Sequence, residues 1–278
     1  MIEKPRYAVF GNPIKQSKSP EIHALFAEQC DRELLYRAVR VDRGAFAAAV
    51  AQFFDGGGAG LNVTVPFKQE AFDLADHLSE RAAKAGAANT LTLREDGTIA
   101  GDNTDGIGLV RDLVANLGWM IQGQRVLLLG AGGAARGVLG PLLRERPQEL
   151  LVVNRTAQRA EQLVREFRDL DQVSGGAYAL ANDRQFDLVI NATSAGLDGT
   201  VPDLPGELLT ERGCCYDMVY GAEPTPFMRW AAHHAAWAVS DGLGMLVEQA
   251  AESFYIWHGA RPDTGPVVQQ LRAAMSAS

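Results

Sequence analysis

The chain of 278 residues predicts an α/β fold in two parts: a doubly wound parallel sheet, and a second α/β domain that is discontinuous in sequence. Three observations predict it. Short apolar strands alternate with helical patterns from end to end, the signature of parallel sheets covered by helices. The strand Val126-Leu127-Leu128-Leu129 runs directly into a glycine-rich turn, as the first βα unit of a doubly wound sheet requires. The helical stretch after Gly244 is too short to be a domain of its own, so it is expected to pack back on the first part of the chain.

The first part opens with the strand Tyr7-Ala8-Val9-Phe10 and the turn Gly11-Asn12-Pro13. Pro20 opens a helix whose Ile22, Leu25 and Phe26 are spaced for one buried face, and Ser19 stands where a hydroxyl can cap it. Residues 35–41 read as a strand and 46–54 as a helix. Gly60-Leu61-Asn62-Val63-Thr64-Val65 alternates, which puts Leu61, Val63 and Val65 on one face and Asn62 and Thr64 on the other. Residues 89–93 and 98–100 flank Asp96-Gly97 as a hairpin. The polar cluster Asp102-Asn103-Thr104-Asp105-Gly106 then leads into a helix over 107–117. The expected organisation is a first domain over 1–105, a dinucleotide-binding domain over 106–241 with further strands at 150–153, 186–191 and 214–219, and C-terminal helices over 242–278 that return to the first domain.

Composition narrows the function. A net charge of -8 with acids and bases dispersed gives no basic face for nucleic acid. No apolar run reaches membrane-spanning length, and the first residues lack the apolar core of a secretion signal. A cytoplasmic protein, monomeric or homodimeric, that acts on a small molecule is the expectation. Cys30, Cys214 and Cys215 have no CxxC spacing and read as small core residues, and the five histidines form no spaced ligand set, so no metal is expected.

The turn Gly130-Ala131-Gly132-Gly133-Ala134-Ala135-Arg136 carries the pattern G-x-G-x-x-A. Small residues there give a tight turn, a close backbone approach to a pyrophosphate and a close helix-to-strand contact, with the helix N-terminus facing the phosphate charge. The next strand, Leu150-Leu151-Val152-Val153, ends in Asn154-Arg155-Thr156, followed by Arg159, where an NAD-binding chain would carry a carboxylate. Donors and guanidinium groups at that point favour a ribose 2′-phosphate, so the cofactor expected is NADP. The plainer alternative for Arg155 and Arg159 is a solvated helix start.

Outside that loop, Ser17, Ser19, Asn62, Thr64, Lys68, Asn89, Asp105, Tyr220 and Gln249 stand at strand ends or in loops, where α/β proteins bind ligands. The set suits a small, hydroxyl-rich anion. Ser17 and Ser19 offer hydroxyls to a carboxylate, although Ser19 serves equally as a cap. Asn62 and Thr64 share a strand face, which aims two polar groups at one ligand or simply leaves one face wet. Lys68 follows directly on Pro66-Phe67. A solvated lysine is the ordinary case, but an ammonium held there can stabilise the charge that ketone reduction leaves on oxygen and deliver its proton. Asp105 can orient it, or act only as a helix-start carboxylate.

Taken together, these segments resemble the shikimate dehydrogenase family, over nearly the whole chain. Gly11-Asn12-Pro13 with Ser17-Lys18-Ser19-Pro20, Asn62-Val63-Thr64-Val65-Pro66-Phe67-Lys68, Ala88-Asn89-Thr90 and Gly101-Asp102-Asn103-Thr104-Asp105-Gly106 are similar to its substrate segments, and residues 130–136 with Asn154-Arg155-Thr156 to its NADP site. The resemblance implies a Rossmann-like cofactor domain and reversible reduction of 3-dehydroshikimate to shikimate with NADPH in aromatic amino acid biosynthesis. It implies that Lys68 and Asp105 are catalytic, that Ser17, Ser19 and Tyr220 hold the substrate carboxylate, and that Asn62, Thr64, Asn89, Asp105 and Gln249 read ring hydroxyls. It adds Ala192, Thr193, Ser194 and Met218, and the segment with Gly242 and Met245, to the cofactor contacts Gly130, Ala131, Gly132, Gly133, Ala134, Asn154, Arg155, Thr156 and Arg159. Ala88 departs from the pattern, where valine is expected, and should affect packing more than chemistry. The alternatives are a quinate/shikimate dehydrogenase using NAD or NADP and, more distantly, a non-catalytic dinucleotide sensor.

Overall fold

A computed structural model of the chain describes residues 4–167, 172–193, 200–202 and 204–277. The chain divides into two compact units, one of residues 1–108 and 247–267, the other of residues 109–246 and 268–278.

The first unit holds a mixed six-stranded sheet in the order β2-β1-β3-β5-β6-β4. Its strands are β1 (Arg6–Gly11), β2 (Leu35–Arg40), β3 (Gly58–Val63), β4 (His77–Leu78), β5 (Thr90–Leu93) and β6 (Ile99–Asp102). β2, β1 and β3 run parallel, and β5 and β6 form the expected antiparallel hairpin. Helices α1 (Ser19–Gln29), α2 (Phe46–Asp55), α3 (Lys68–Leu74) and α4 (Glu80–Ala85) alternate with the strands. Phe10, Phe46, Val50, Leu61, Val63, Phe67, Ala88 and Leu91 are among the residues of its core, each large aliphatic or aromatic side chain contributing roughly 1.5–3 kcal/mol on burial. One register row, Ala38-Val9-Asn62-Thr90-Asp102, crosses five strands and turns polar from β3 onward. That row sets the edge on which the polar segments gather.

The second unit holds six parallel strands in the order β12-β11-β10-β7-β8-β9. They are β7 (Arg125–Leu129), β8 (Glu149–Val153), β9 (Val173–Gly176), β10 (Phe186–Asn191), β11 (Leu209–Asp217) and β12 (Ala238–Asp241). This is the doubly wound order, with the reversal between β7 and β10. α5 (Asp105–Arg111) enters the unit, and α6 (Gly133–Arg144), α7 (Ala157–Arg165) and α8 (Pro226–His233) follow. Both faces of the sheet are dry. Val126, Leu128, Leu150 and Val152 enter one core, and Leu127, Leu129, Leu151 and Val153 the other, which is why these strands read as continuous apolar runs. Cys214 and Cys215 lie within these cores, where burial raises both thiols, Cys214 to about 11.

The C-terminal stretch differs from a single block returning to the first unit. Two helices, α9 (Leu243–His258) and α10 (Gly265–Ser276), are present, but residues 247–267 belong to the first unit and 242–246 and 268–278 to the second. Polar anchors account for the division. Arg261 pairs with Glu248 and Glu252, and Arg81 with Glu252, whereas Arg272 grips the Asp241 carboxylate and the Gly221 carbonyl. Other local readings also change. β3 ends at Val63, and Val65 is 61% exposed rather than sharing the Leu61 and Val63 face. The helix expected over 107–117 is α-helical only to Arg111 and continues as a π-turn over Asp112–Asn116. Ser19 is the first residue of α1 and caps nothing; Lys18 holds the cap position without a side-chain hydrogen bond.

His23, on α1, is fully buried. Its ring stacks on Tyr36 at 4.2 Å and 9° and lies near Phe26 and Trp257, with no hydrogen-bond partner for either nitrogen among the described residues. Burial, reinforced by the nearby His258, lowers its pKa from 6.5 to about 3. The folded chain therefore keeps His23 neutral while the unfolded chain takes up a proton. The stability contribution is intact above pH 6.5 and is lost as pH falls toward 3. Replacing His23 by Phe should make unfolding free energy fall less steeply with acid, by about 1.4 kcal/mol per pH unit between about pH 4 and 6. Denaturant melts at several pH values measure this; parallel curves for the two proteins would show that folded His23 does protonate.

Candidate active site

In the first unit the site begins where β1 stops. A Cβ on Gly11 would lie 2.5 Å from Thr64 Cγ2 and 3.3 Å from the Val65 carbonyl oxygen, so only glycine lets the following loop lie against the end of β3. Asn12 fastens that loop, its N–H donating to the Val65 oxygen and its side-chain amide to the Val41 oxygen, each at 3.0 Å. Both Asn12–Pro13 and Val65–Pro66 are cis. The loop carries Ser17, whose Oγ accepts the Ser19 N–H at 3.3 Å, and delivers Ser19 into a buried position.

Asn62 is buried, not part of a wet strand face. Its Nδ2 has the Asn89 oxygen at 3.2 Å, Thr90 Oγ1 at 3.2 Å and Ser253 Oγ at 2.9 Å as acceptors, and its Oδ1 accepts from the Tyr36 hydroxyl at 2.7 Å. Thr64, half-buried, closes the turn into α3 by accepting the Phe67 N–H. Asn89 donates to Thr104 Oγ1 at 3.0 Å and to Asp105 Oδ1 at 2.8 Å, and its own Oδ1 accepts the Thr104 N–H at 2.9 Å. Gln249, on α9, accepts a long hydrogen bond from Thr104 at 3.5 Å.

Lys68 and Asp105 meet. The ammonium opens α3, the carboxylate opens α5, and Lys68 Nζ donates to Asp105 Oδ2 at 2.5 Å. The side chains are 29% and 12% exposed. Asn89 and Lys68 thus take one carboxylate oxygen each, while the Asp105 N–H donates to Asn103 Oδ1. The pair is oriented by the buried side and open on the other. An ammonium with three donors, one of them occupied, can both bind an oxygen and release a proton to it.

Eight of the nine expected substrate residues therefore lie in the first unit; Tyr220 belongs to the second. Burial, and next the charge of Asp241, raise the pKa of Tyr220. Sequence reading missed Tyr36, Thr90, Thr104 and Ser253, which complete the network. Ser253 had a signal, since it stands four residues after Gln249 on one helix face. Tyr36 had none: it sits in a strand whose other side chains are largely exposed.

In the second unit the row Asp241-Asp217-Asn191-Leu129-Val153-Gly176 ends all six strands in register. Gly242, Met218, Ala192, Gly130 and Asn154 each follow one of those residues, so the expected cofactor contacts share one sheet edge. Gly130 has φ +105, and a Cβ there would lie 3.1 Å from the Ala192 oxygen. Ala131 to Ala134 have no side-chain cap above them, Gly132 and Gly133 have open space around their Cα atoms, and Ala135 packs in the core. Asn154 Nδ2 donates to the Thr156 oxygen, and Arg155, Thr156 and Arg159 are exposed. Neither guanidinium has a carboxylate partner among the described residues. Thr193 Oγ1 donates to Asn191 Oδ1 at 2.7 Å. Met218 packs beside the core, a Cβ on Gly242 would lie 2.3 Å from the Met218 oxygen, and Met245 is buried in the same core. Ser194 lies outside the described residues. Among those residues no group of three or more His, Cys, Asp or Glu is placed to hold a metal, and no helix is long and apolar enough to cross a membrane.

Comparison with known proteins decides the relationship. Residues 9–91 match the family model of the shikimate dehydrogenase substrate binding domain, residues 112–197 that of shikimate / quinate 5-dehydrogenase, and residues 242–272 that of the shikimate 5'-dehydrogenase C-terminal domain. A protein of Methylococcus capsulatus named shikimate dehydrogenase (NADP(+)) is 55% identical over 273 residues, covering 98% of each chain. The chain belongs to the shikimate dehydrogenase family. Among solved structures, the Ael1 enzyme of Pseudomonas putida matches with a TM-score of 0.93 at 47% identity, over 96% of this chain and 98% of that one. The shikimate 5-dehydrogenase of Thermus thermophilus, solved with NADP(H) and shikimate, matches with a TM-score of 0.86 at 34% identity, over 97% and 99%.

Within the family frame, Gly130 is the position where backbone geometry and ligand approach coincide. Replacing Gly130 by Ala should cost about 1–3 kcal/mol of stability from the positive φ alone and weaken NADP binding, as read by thermal melts with and without the dinucleotide. An unchanged melt would show that the turn relaxes around the new methyl.

Proposed function

We propose that this chain is an oxidoreductase that catalyses the reversible NADPH-dependent reduction of 3-dehydroshikimate to shikimate, a step of aromatic amino acid biosynthesis. The single observation that carries the chemistry is the Lys68–Asp105 pair, an ammonium fixed at 2.5 Å on a carboxylate whose other oxygen is held by Asn89. Its surroundings fit the substrate class: the hydroxyl and amide groups of Asn62, Asn89, Thr90, Thr104 and Ser253 form one hydrogen-bonded network that reaches the pair through Asn89, polar surroundings that suit a small polyhydroxylated acid.

In this reading Ser17, Ser19 and Tyr220 bind the carboxylate, while Asn62, Thr64, Asn89, Asp105 and Gln249 take the ring hydroxyls. NADPH, when bound, supplies the hydride to the carbonyl carbon. Lys68 stabilises the oxygen as charge develops there and gives it a proton, and takes the proton back in the reverse direction. Asp105 keeps the ammonium aimed. For the cofactor, the uncapped N-terminus of α6 and the positive-φ Gly130 fit a pyrophosphate. Asn154, Thr156, Arg155 and Arg159 fit a 2′-phosphate, since among the described residues no carboxylate competes for either exposed guanidinium. Ala192, Thr193, Ser194, Met218, Gly242 and Met245 complete the set we assign to the cofactor. The enzyme acts on a small molecule in the cytoplasm, as a monomer or homodimer and without nucleic acid. Because one matching family model spans shikimate and quinate dehydrogenases, NADP reduction should be followed with both polyols; faster turnover of quinate would reassign the substrate.

Lys68→Ala should lower kcat by about 10²–10⁴-fold, the usual worth of a positioned acid–base group, with shikimate KM changed far less. Steady-state rates across both substitution and substrate test this, and wild-type turnover in the variant would eliminate Lys68 as the proton donor. Arg155→Ala should weaken NADPH by about 1.5–3 kcal/mol while leaving NADH nearly untouched. Equal losses for the two dinucleotides, measured by titration, would mean that Arg155 does not read the phosphate.

A further inference from the structure

Tyr36 reaches the proposed substrate pocket of the first unit from the edge strand. Its hydroxyl donates to Asn62 Oδ1 at 2.7 Å. The direction of this bond is fixed by a neighbour. Asn62 Nδ2 faces the Asn89 backbone oxygen at 3.2 Å, which can only accept, so the amide cannot be reversed. Oδ1 must then face Tyr36, and the phenol must give it its single proton. What remains on the phenol is an acceptor. Burial holds the phenol far above the ordinary tyrosine range, so the proton stays. Behind the ring, His23 stacks at 4.2 Å and 9° with both nitrogens unpartnered among the described residues, which fixes the plane of Tyr36 without competing for its proton.

We propose that Tyr36 is a positioning residue for substrate recognition, fixing through its hydrogen bond the sense in which Asn62 faces a ligand. The proposal rests on the assignment of the pocket to a shikimate-type substrate. Through it, Asn62 presents its second Oδ1 lone pair in a fixed direction as an acceptor for a substrate hydroxyl.

The test is steady-state kinetics of Tyr36→Phe, which removes one oxygen and keeps the stacked ring. Shikimate KM should rise about tenfold, the worth of one hydrogen bond of this kind, with kcat within about twofold and NADP KM unchanged. In an Asn62→Ala background the same change should add less than about twofold, because Tyr36 acts through Asn62. Ser253→Ala, which loosens Asn62 from its other side, should raise the same KM without touching the edge strand. A Tyr36→Phe enzyme with unchanged shikimate KM, or one whose effect adds fully to that of Asn62→Ala, overturns the role of Tyr36. So does a variant that melts several degrees lower with both KM values and kcat altered, since that marks a packing group. Wild-type protein without shikimate turnover would instead overturn the assignment of the reaction.

Discussion

The Asn89 side chain is the constraint on which the first unit's site depends. It is buried and hydrogen-bonded through both ends of its amide. Its two donors go to Thr104 and Asp105, and its oxygen takes the Thr104 N–H and the Thr90 hydroxyl. Its backbone joins the network as well, through the Val63 N–H on its oxygen and the Asp102 oxygen on its N–H. One residue thereby ties β3, the start of β5 and the turn before α5 into a single rigid corner. Asp105 is aimed because Asn89 is immobile, and Lys68 is aimed because Asp105 is. The backbone repeats the connection, since the Ala88 N–H donates to the Lys68 oxygen at 2.9 Å and fixes the first turn of α3 against the hairpin.

The second unit reaches an equivalent precision through register instead of side-chain bonding. Six parallel strands end in one row, so every segment leaving the sheet starts from the same edge. At the point where the winding reverses, Gly130 and Ala192 leave neighbouring strands with too little room for a side chain between them. The buried carboxylates of that row are hydrogen-bonded locally. Asp217 accepts from Asn191, Thr225 and the Val219 N–H, and Asp241 accepts from Arg272 and the Leu243 N–H.

Sequence reading worked where the physics is local. The continuous apolar strands of the second unit, the glycine turn and the β5–β6 hairpin each follow from a pattern confined to a few residues. Lys68 and Asp105 entered the candidate set as polar residues at element boundaries near Pro or Gly, and the resemblance to the family gave them their expected roles. Features that depend on distant pairing were not legible. Nothing within residues 35–41 distinguishes Tyr36 from an exposed strand residue; its direction is decided by Asn62 and by the His23 ring. Ser19 had the composition of a cap but was drawn one residue into α1, where its N–H is taken by Ser17. The C-terminal helices carried apolar faces without addresses; the addresses are Arg261 and Arg272, whose partners lie on different units' residues.

Polar residues in such number inside the first unit require an explanation, because an apolar core of equal volume would be at least as stable. Burial of Asn62, Asn89, Thr90, Thr104 and Ser253 is tolerated since each finds partners. What the network contributes is direction. Its buried members are hydrogen-bonded to one another, which fixes the sense in which each faces a ligand. Toward the solvent side, Asp105 keeps lone pairs, and Lys68, its side chain 29% exposed, keeps two N–H groups. Reactive capacity is thus left only where a ligand can arrive, and the fixed corner behind it decides the orientation in which that ligand is met.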